Sequence, residues 1–229
     1  MIKMNLESLL KQVEDNLSPW ISTPEDRESV TQIINAMRVI DRRYFVPDEQ
    51  EAYFDTAISI GQQQTISQPS TVARMLMLAE IQPGHSILEL GTGSGWNACL
   101  AAYIAFPGRL LSLEIIPQFL EKANHNLKAV KNNSSKENQK RLSQIEFKQV
   151  NIIKQFKSWP EMFNRIIVTA GIRLKQEKTI KDLAEKLLHE NGLLICPYTQ
   201  GPLMVFKKYN GKIFKSETRE LYAFVPLLG

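Results

Sequence analysis

The stretch ILELGTGSGW, Ile87 to Trp96, decides the fold of this chain, because an apolar run carrying an acid, Glu89, gives way to glycine at every second position. A short apolar run of this kind reads as a buried strand, and alternate glycines mark a tight turn into a helix. Gly91, Gly93 and Gly95 remove side chains where the turn calls for positive φ and where a ligand must approach the backbone. The helix beginning near Ser94 points its free N–H groups at the same place. A binding crevice at the carboxyl end of a parallel strand follows.

The spacing selects among ligands. The dinucleotide fingerprint is G-x-G-x-x-G, with its third glycine placed for helix packing, whereas this chain has G-x-G-x-G followed by Trp96. S-adenosylmethionine is therefore favoured over NAD. A second acid supports a ribosyl cofactor: RLLSLE, Arg109 to Glu114, is a short apolar strand ending in a carboxylate roughly 20 residues beyond the glycines, where a ribose diol is gripped. Glu114 is the candidate ribose ligand. Taken singly, the glycines also fit plain strand-to-helix geometry and Glu114 a solvated strand end.

With 229 residues, of which 43% are hydrophobic and 23% charged, the chain can bury one substantial core. No run of about 18 apolar residues exists, and the start, MIKMNLESLLKQVEDN, mixes charges into an amphipathic pattern. Neither a membrane span nor a secretory signal is expected, and a cytoplasmic protein is the simplest inference. Cys99 and Cys196 fall inside apolar elements without metal-ligand spacing, so neither a disulfide nor a metal site is expected. The net charge of +4 is modest. The polar cluster Lys131 to Arg141 lacks aromatic residues that could stack bases, and reads as a solvated loop rather than a nucleic-acid surface.

Helical periodicity covers Leu6 to Leu17 and Arg27 to Val39, with Thr23, Pro24 and Glu25 as cap, first-turn proline and favourable charge for the second helix. Between Tyr44 and Ser67 the periodicity fails, which predicts an irregular segment that helps to build a site. From Pro69 the elements alternate. Helices are predicted to about Glu80, to about Ala105, over Pro117 to about Val130 and over Gln176 to His189. Strands are predicted over Ser86 to Leu90, Arg109 to Glu114, Gln144 to Val150, Arg165 to Thr169 and Gly192 to Pro197. Such alternation predicts an α/β fold with a doubly wound, mostly parallel sheet. Met204 to Tyr209 and Ile213 to Tyr222 flank Asn210 and Gly211, a hairpin turn signal, so the sheet ends antiparallel. Residues 1–68 are expected to form an N-terminal helical extension ending in the irregular site-building segment, and residues 69–229 one S-adenosylmethionine-binding unit whose outline is, by analogy, of methyltransferase type.

From about Pro24 to Gly229 the chain resembles the protein-L-isoaspartate O-methyltransferases. The segments that carry the resemblance are RRYFVP with AYFD (Arg42 to Pro47, Ala52 to Asp55), IGQQQTISQP (Ile60 to Pro69), LELGTGSGW, the strand ending at Glu114, RIIVTAG (Arg165 to Gly171) and FVPLLG (Phe224 to Gly229). The resemblance implies methyl transfer from S-adenosylmethionine to the free carboxylate of L-isoaspartyl residues in damaged proteins or peptides. It makes Ser67 the catalytic candidate, with Thr65, Ile66, Gln68 and Ser70 shaping the same acceptor wall. On the cofactor side it implies Glu89, Gly91, Thr92, Gly93, Ser94, Gly95, Glu114, Asn151 and Ile152. A free carboxylate has a pKa of about 4 and is already a nucleophile at neutral pH, so no conventional base is required. The scarcity of histidine agrees with this: His85, His125 and His189 read as surface or structural residues.

The chain departs from the family pattern in several places. The family usually reads roughly IGYGQTIS, with a glycine on each side of one residue, whereas this chain has Gln62 and Gln63 in that region. Val150, Asn151 and Ile152 stand at the acidic turn that contacts the adenine end, and Asn164 replaces the acid opening the IIVTA strand. IRLKQEKTIKDL replaces a downstream proline and leucine pattern, and the glutamine expected after the late strand's proline is matched only by a shifted Gln200. These changes leave open a specialised carboxyl methyltransferase with one peptide or protein acceptor, or a non-catalytic cofactor-binding descendant. Oligomeric state is not legible.

Overall fold

The computed structural model describes residues 5–228. Met1 to Met4, at the start of the expected extension, and Gly229, which ends FVPLLG, lie outside the described residues. Helix α1 is Leu6–Leu17, opened by a capping box between Asn5 and Ser8. Helix α2 is Pro24–Val39, with Thr23 accepting from the Asp26 N–H, the Asp26 carboxylate answering the Thr23 N–H, and Pro24 in the first turn. Such reciprocal bonds satisfy N–H groups that the helix itself cannot.

The expected irregular segment contains more order than its composition suggested. Short 3-10 turns occupy Arg42–Phe45 and Glu49–Glu51. They are followed by an antiparallel hairpin of β1 (Ile58–Gly61) and β2 (Gln64–Ile66). Gln62 and Gln63 turn that hairpin at φ 48° and 59°. Glutamine is not a residue that advertises a left-handed turn, which is why the hairpin is invisible in the sequence.

The alternating part runs α3 (Pro69–Leu78), β3 (Ile87–Leu90), α4 (Trp96–Ala105), β4 (Leu110–Glu114), α5 (Pro117–Asn132), α6 (Lys136–Leu142), β5 (Ile145–Gln149), α7 (Ile152–Gln155), β6 (Phe163–Val168), α8 (Glu177–Leu187) and β7 (Leu188–Pro197). It closes with β8 (Gln200–Gly201), β9 (Leu203–Tyr209), β10 (Lys212–Glu217) and β11 (Tyr222–Ala223). Helix α6 corrects the expectation of a solvated loop at Lys131 to Arg141. Ser135 caps it by accepting from the Asn138 N–H, and Leu142 anchors it in the core. Strand β10 ends at Glu217, short of the expected Tyr222, which falls in the separate β11.

Seven strands form the main sheet in the order β10-β9-β7-β6-β3-β4-β5. Strands β3 to β7 are parallel, and β9 and β10 add an antiparallel hairpin at one edge, turned at Asn210 and Gly211. The side-chain period of two divides the strands between two buried faces. Ile87, Leu110, Ile167 and Ile195 join α1 to α4 on one side, while Leu88, Leu111, Ile166 and Leu194 pack with α8 on the other. The chain runs outward from β3 to β5 and then returns to β6 on the opposite side of β3. That reversal leaves a crevice at the carboxyl ends of the strands.

Candidate active site

A cleft of about 990 Å³, its open mouth included, occupies this crevice. Gly91, Thr92, Gly93 and Ser94 line its floor. Gly91 has φ +97°, and a Cβ there would stand 2.5 Å from the Thr169 hydroxyl oxygen, which donates to the Leu90 and Gly91 carbonyls. Glycine is thus required on two counts, conformation and room. Ser94 is held from outside by Asn126, whose amide donates to the Ser94 carbonyl over 2.9 Å. Gly95, expected among the ligand contacts, does not line the cleft: it begins α4 at φ +86°, where a Cβ would press on Ala123 at 3.1 Å.

Glu114 also lines the cleft. One carboxylate oxygen accepts from the Gly93 N–H at 3.0 Å, and the other from the N–H groups of Ile115 and Ile116 at 2.8 and 3.0 Å. A carboxylate offers about four acceptor positions, so three are committed to orientation and one remains on the Gly93-facing oxygen. Asn151, two residues past the neighbouring β5, lines the same cleft with a buried Oδ1 that has no hydrogen-bond partner among the described residues. Buried carbonyl oxygens are seldom left so, and a donor on a bound ligand would satisfy this one. Ile115, Ile116, Phe119, Ile152 and Ile153 add apolar lining to the same cleft. A glycine floor, a carboxylate with one position in reserve, an orphaned amide oxygen and an apolar slot together fit a ribosylated base.

Glu89 behaves differently from the expectation. It is wholly buried and does not line the cleft. Its carboxylate accepts from the Ser112 hydroxyl and, over 2.8 Å, from the Asn97 amide, while Thr92 and Ser112 share a hydrogen bond of 2.6 Å. Burial pushes its pKa up to about 7. Glu89 therefore reaches a ligand only through Asn97 and Thr92, both of which line the cleft.

Thr65, Ile66 and Ser67 form the facing wall. The Ser67 hydroxyl makes no hydrogen bond among the described residues, and the first position before α3 is Gln68, not Ser67. Gln68 and Ser70, expected on the same wall, instead turn to Asp55. Its carboxylate accepts from the Gln68 amide at 3.1 Å, the Ser70 N–H at 2.8 Å and the Ser70 hydroxyl at 2.6 Å. Asp55 thereby caps α3 from a distant segment and leaves Ser67 unencumbered.

Several cleft residues were not singled out in the sequence. Asn97 is the second residue of α4, and Thr169 and Ala170 follow β6. Val225 to Leu228 also line it, held there by the Gly171 N–H donating to Val225 and the Leu227 N–H donating to Gly171. FVPLLG was visible as a motif, but its return to the glycine turn depends on long-range pairing that spacing does not encode. Of the histidines, His125 and His189 are exposed. His85 accepts from the Gln82 N–H through Nδ1, and its pKa is pushed down to about 4 by burial and by Arg165. Among the described residues no group of three or more His, Cys, Asp or Glu side chains is placed to hold a metal ion, and no helix is long and apolar enough to cross a membrane. Cys99 and Cys196 are free and buried.

The sheet order and the cleft at its switch point define a Rossmann-like α/β methyltransferase. The chain belongs to the protein-L-isoaspartate(D-aspartate) O-methyltransferase family, whose model matches residues 24–229. It is 32% identical over 210 residues to the protein-L-isoaspartate O-methyltransferase of Methanopyrus kandleri, covering 86% of this chain and 84% of that one. With the Pyrococcus horikoshii protein of the same name it is 37% identical over 199 residues, covering 82% and 80%. The fold is similar to that of a Plasmodium falciparum protein described as a putative protein-L-isoaspartate O-methyltransferase in complex with S-adenosyl-L-homocysteine. The TM-score is 0.73 at 23% identity, over 95% of this chain and 97% of that one.

Proposed function

We propose that this chain transfers a methyl group from S-adenosylmethionine to the free carboxylate of L-isoaspartyl residues in damaged proteins or peptides. The observation that carries the reading is the meeting, in one cleft, of an uncommitted Ser67 hydroxyl with a glycine floor and the Glu114 carboxylate. When bound, S-adenosylmethionine supplies a methyl group on a sulfonium centre, an electrophile that a carboxylate attacks without prior deprotonation. Gly91, Gly93, Glu114, Asn151 and Ile152 are the residues proposed to hold it, with Thr92 and Ser94 beside them.

Ser67 is the proposed catalytic residue. Its hydroxyl donates to one oxygen of the acceptor carboxylate and leaves the other free to react. What the site contributes is placement and partial exclusion of water, which together can lower a barrier by several kcal/mol. Thr65 and Ile66 line the approach, and Leu227 and Leu228 line the same cleft. Residues 5–68 thus furnish the acceptor wall and residues 69–228 the cofactor wall.

The test is transfer of labelled methyl to an isoaspartyl peptide, run beside its aspartyl twin and beside Ser67→Ala. Ser67-dependent labelling of the isoaspartyl peptide alone is the expected result. Cofactor binding without any transfer to it would overturn the repair reading in favour of a dedicated acceptor, for which the Gln62–Gln63 turn beside the cleft wall is the supporting feature.

A further inference from the structure

We infer that Arg42 and Asp55 are a pair of positioning residues that hold the Ser67 hydroxyl toward the acceptor, one from each side of the chain; the inference rests on the proposed role of Ser67. Arg42 is 1% exposed, yet it forms no ion pair among the described residues. Its two terminal nitrogens donate to four main-chain carbonyls, Ala52 at 3.2 Å, Phe54 at 3.0 Å, Thr56 at 2.8 Å and Ser67 at 3.1 Å, while its buried Nε–H has no partner among the described residues. It also lies 5.4 Å from the centroid of the Trp96 ring, and the Trp96 indole N–H donates to the Ile40 carbonyl at 3.0 Å. The segment that ends at Ser67 is therefore referenced to the helix that follows the glycine turn. Asp55, which leaves the same loop, takes Gln68 and Ser70 on the other flank of Ser67, and α1 joins in through the Asn16 amide, which reaches Asp55 at 3.1 Å and Ser70 at 2.8 Å.

A buried cation bound only to carbonyls is a costly way to close a loop, since water must be stripped from it. Burial indeed lowers its pKa to about 10, leaving it charged at neutral pH. Its use here follows from geometry. A planar fork with five donors can fix four carbonyls at once, which an ammonium with three cannot. Electrostatic help to the chemical step is the wrong explanation: a carboxylate and a sulfonium lose their opposite charges as the methyl passes between them, so a nearby cation favours the bound acceptor over the transition state. The pair acts on how the acceptor is held.

The experiment is calorimetry of a non-reacting ternary complex, an isoaspartyl peptide titrated into protein saturated with S-adenosylhomocysteine, for wild type, Arg42→Lys, Asp55→Asn, Ser67→Ala and the two double variants. Arg42→Lys and Asp55→Asn should each weaken peptide binding by no more than Ser67→Ala does, roughly 10-fold, the size of the one hydroxyl-to-carboxylate bond through which both act. Affinity for S-adenosylhomocysteine should stay within about twofold of wild type. In the Ser67→Ala background neither substitution should weaken the peptide further, because both act through that hydroxyl. Equal losses with and without Ser67, or lowered thermal stability with unchanged peptide affinity, would overturn the proposal. Should Arg42→Lys fail to fold, the partly exposed Asp55 decides through the same cycle. Wild-type protein that binds S-adenosylhomocysteine but no isoaspartyl peptide would remove the functional reading itself, and the positioning role with it.

Discussion

Asn151 carries a prediction of opposite signs. Its Oδ1 is buried without a partner at the cleft wall, so in the free protein Asn151→Ala removes an unsatisfied group and should leave stability unchanged or raise it slightly. If that oxygen accepts from the cofactor, the same change should weaken S-adenosylmethionine binding about 10-fold. Urea melts and titration calorimetry on one preparation test both halves; equal affinity would mean that the oxygen faces no donor. Gly91 gives a steric counterpart. Gly91→Ala should cost on the order of 2 kcal/mol through strained φ and the clash with Thr169, and Thr169→Ala should restore part of it, since the clashing atom is that hydroxyl. Additive losses in thermal melts would show that φ alone is responsible. At this scale the sequence disclosed the glycines and Glu114 by spacing. It could not disclose that Glu89, in the same motif, faces inward to Ser112 and Asn97, because strand alternation fixes a face but not what lies beneath it.

The two hairpins show what makes an element readable. The turn of β9 and β10 uses Asn210 and Gly211, whose φ values of 50° and 70° are easy for these residues. It could be predicted from the dipeptide. The turn of β1 and β2 demands the same left-handed backbone from Gln62 and Gln63, and the sequence gives no warning. Its strain has a measurable consequence. Replacing the pair by Asn-Gly should stabilise the protein by roughly 1 kcal/mol, read as a shift in urea midpoint at unchanged slope. A midpoint that falls would mean that the glutamine side chains contribute contacts worth more than the backbone strain. Helix α6 was hidden for another reason: a single buried anchor, Leu142, gives no periodicity. Its one legible sign was Ser135 three residues before Asn138, a cap without the apolar run that normally follows.

For the molecule as a whole, the doubly wound core was legible because its central strands, mostly apolar and buried along their length, are bounded by their own turn signals. The cleft was only partly legible, because it is assembled from remote segments, at Thr65–Ser67, Gly91–Ser94, Leu113–Ile116, Asn151–Ile153, Thr169–Ala170 and Val225–Leu228. Where those segments meet the sheet, Glu89 leaves a mark on global stability. Burial raises its pKa from 4.5 to about 7. Between those values the folded chain keeps a proton that the unfolded chain has released, so this group's contribution to stability is full below about 4.5 and declines as pH rises toward 7. Above that range the folded state carries a buried charge, and the penalty is constant. Glu89→Gln keeps the shape and removes the titration. The stability of the variant relative to wild type should therefore increase from pH 5 to pH 8, by up to about 3 kcal/mol. Carboxylates elsewhere titrate alike in both proteins and cancel in the difference. Urea denaturation at half-unit pH steps would measure it, and parallel curves would show that Ser112 and Asn97 hold Glu89 ionised throughout.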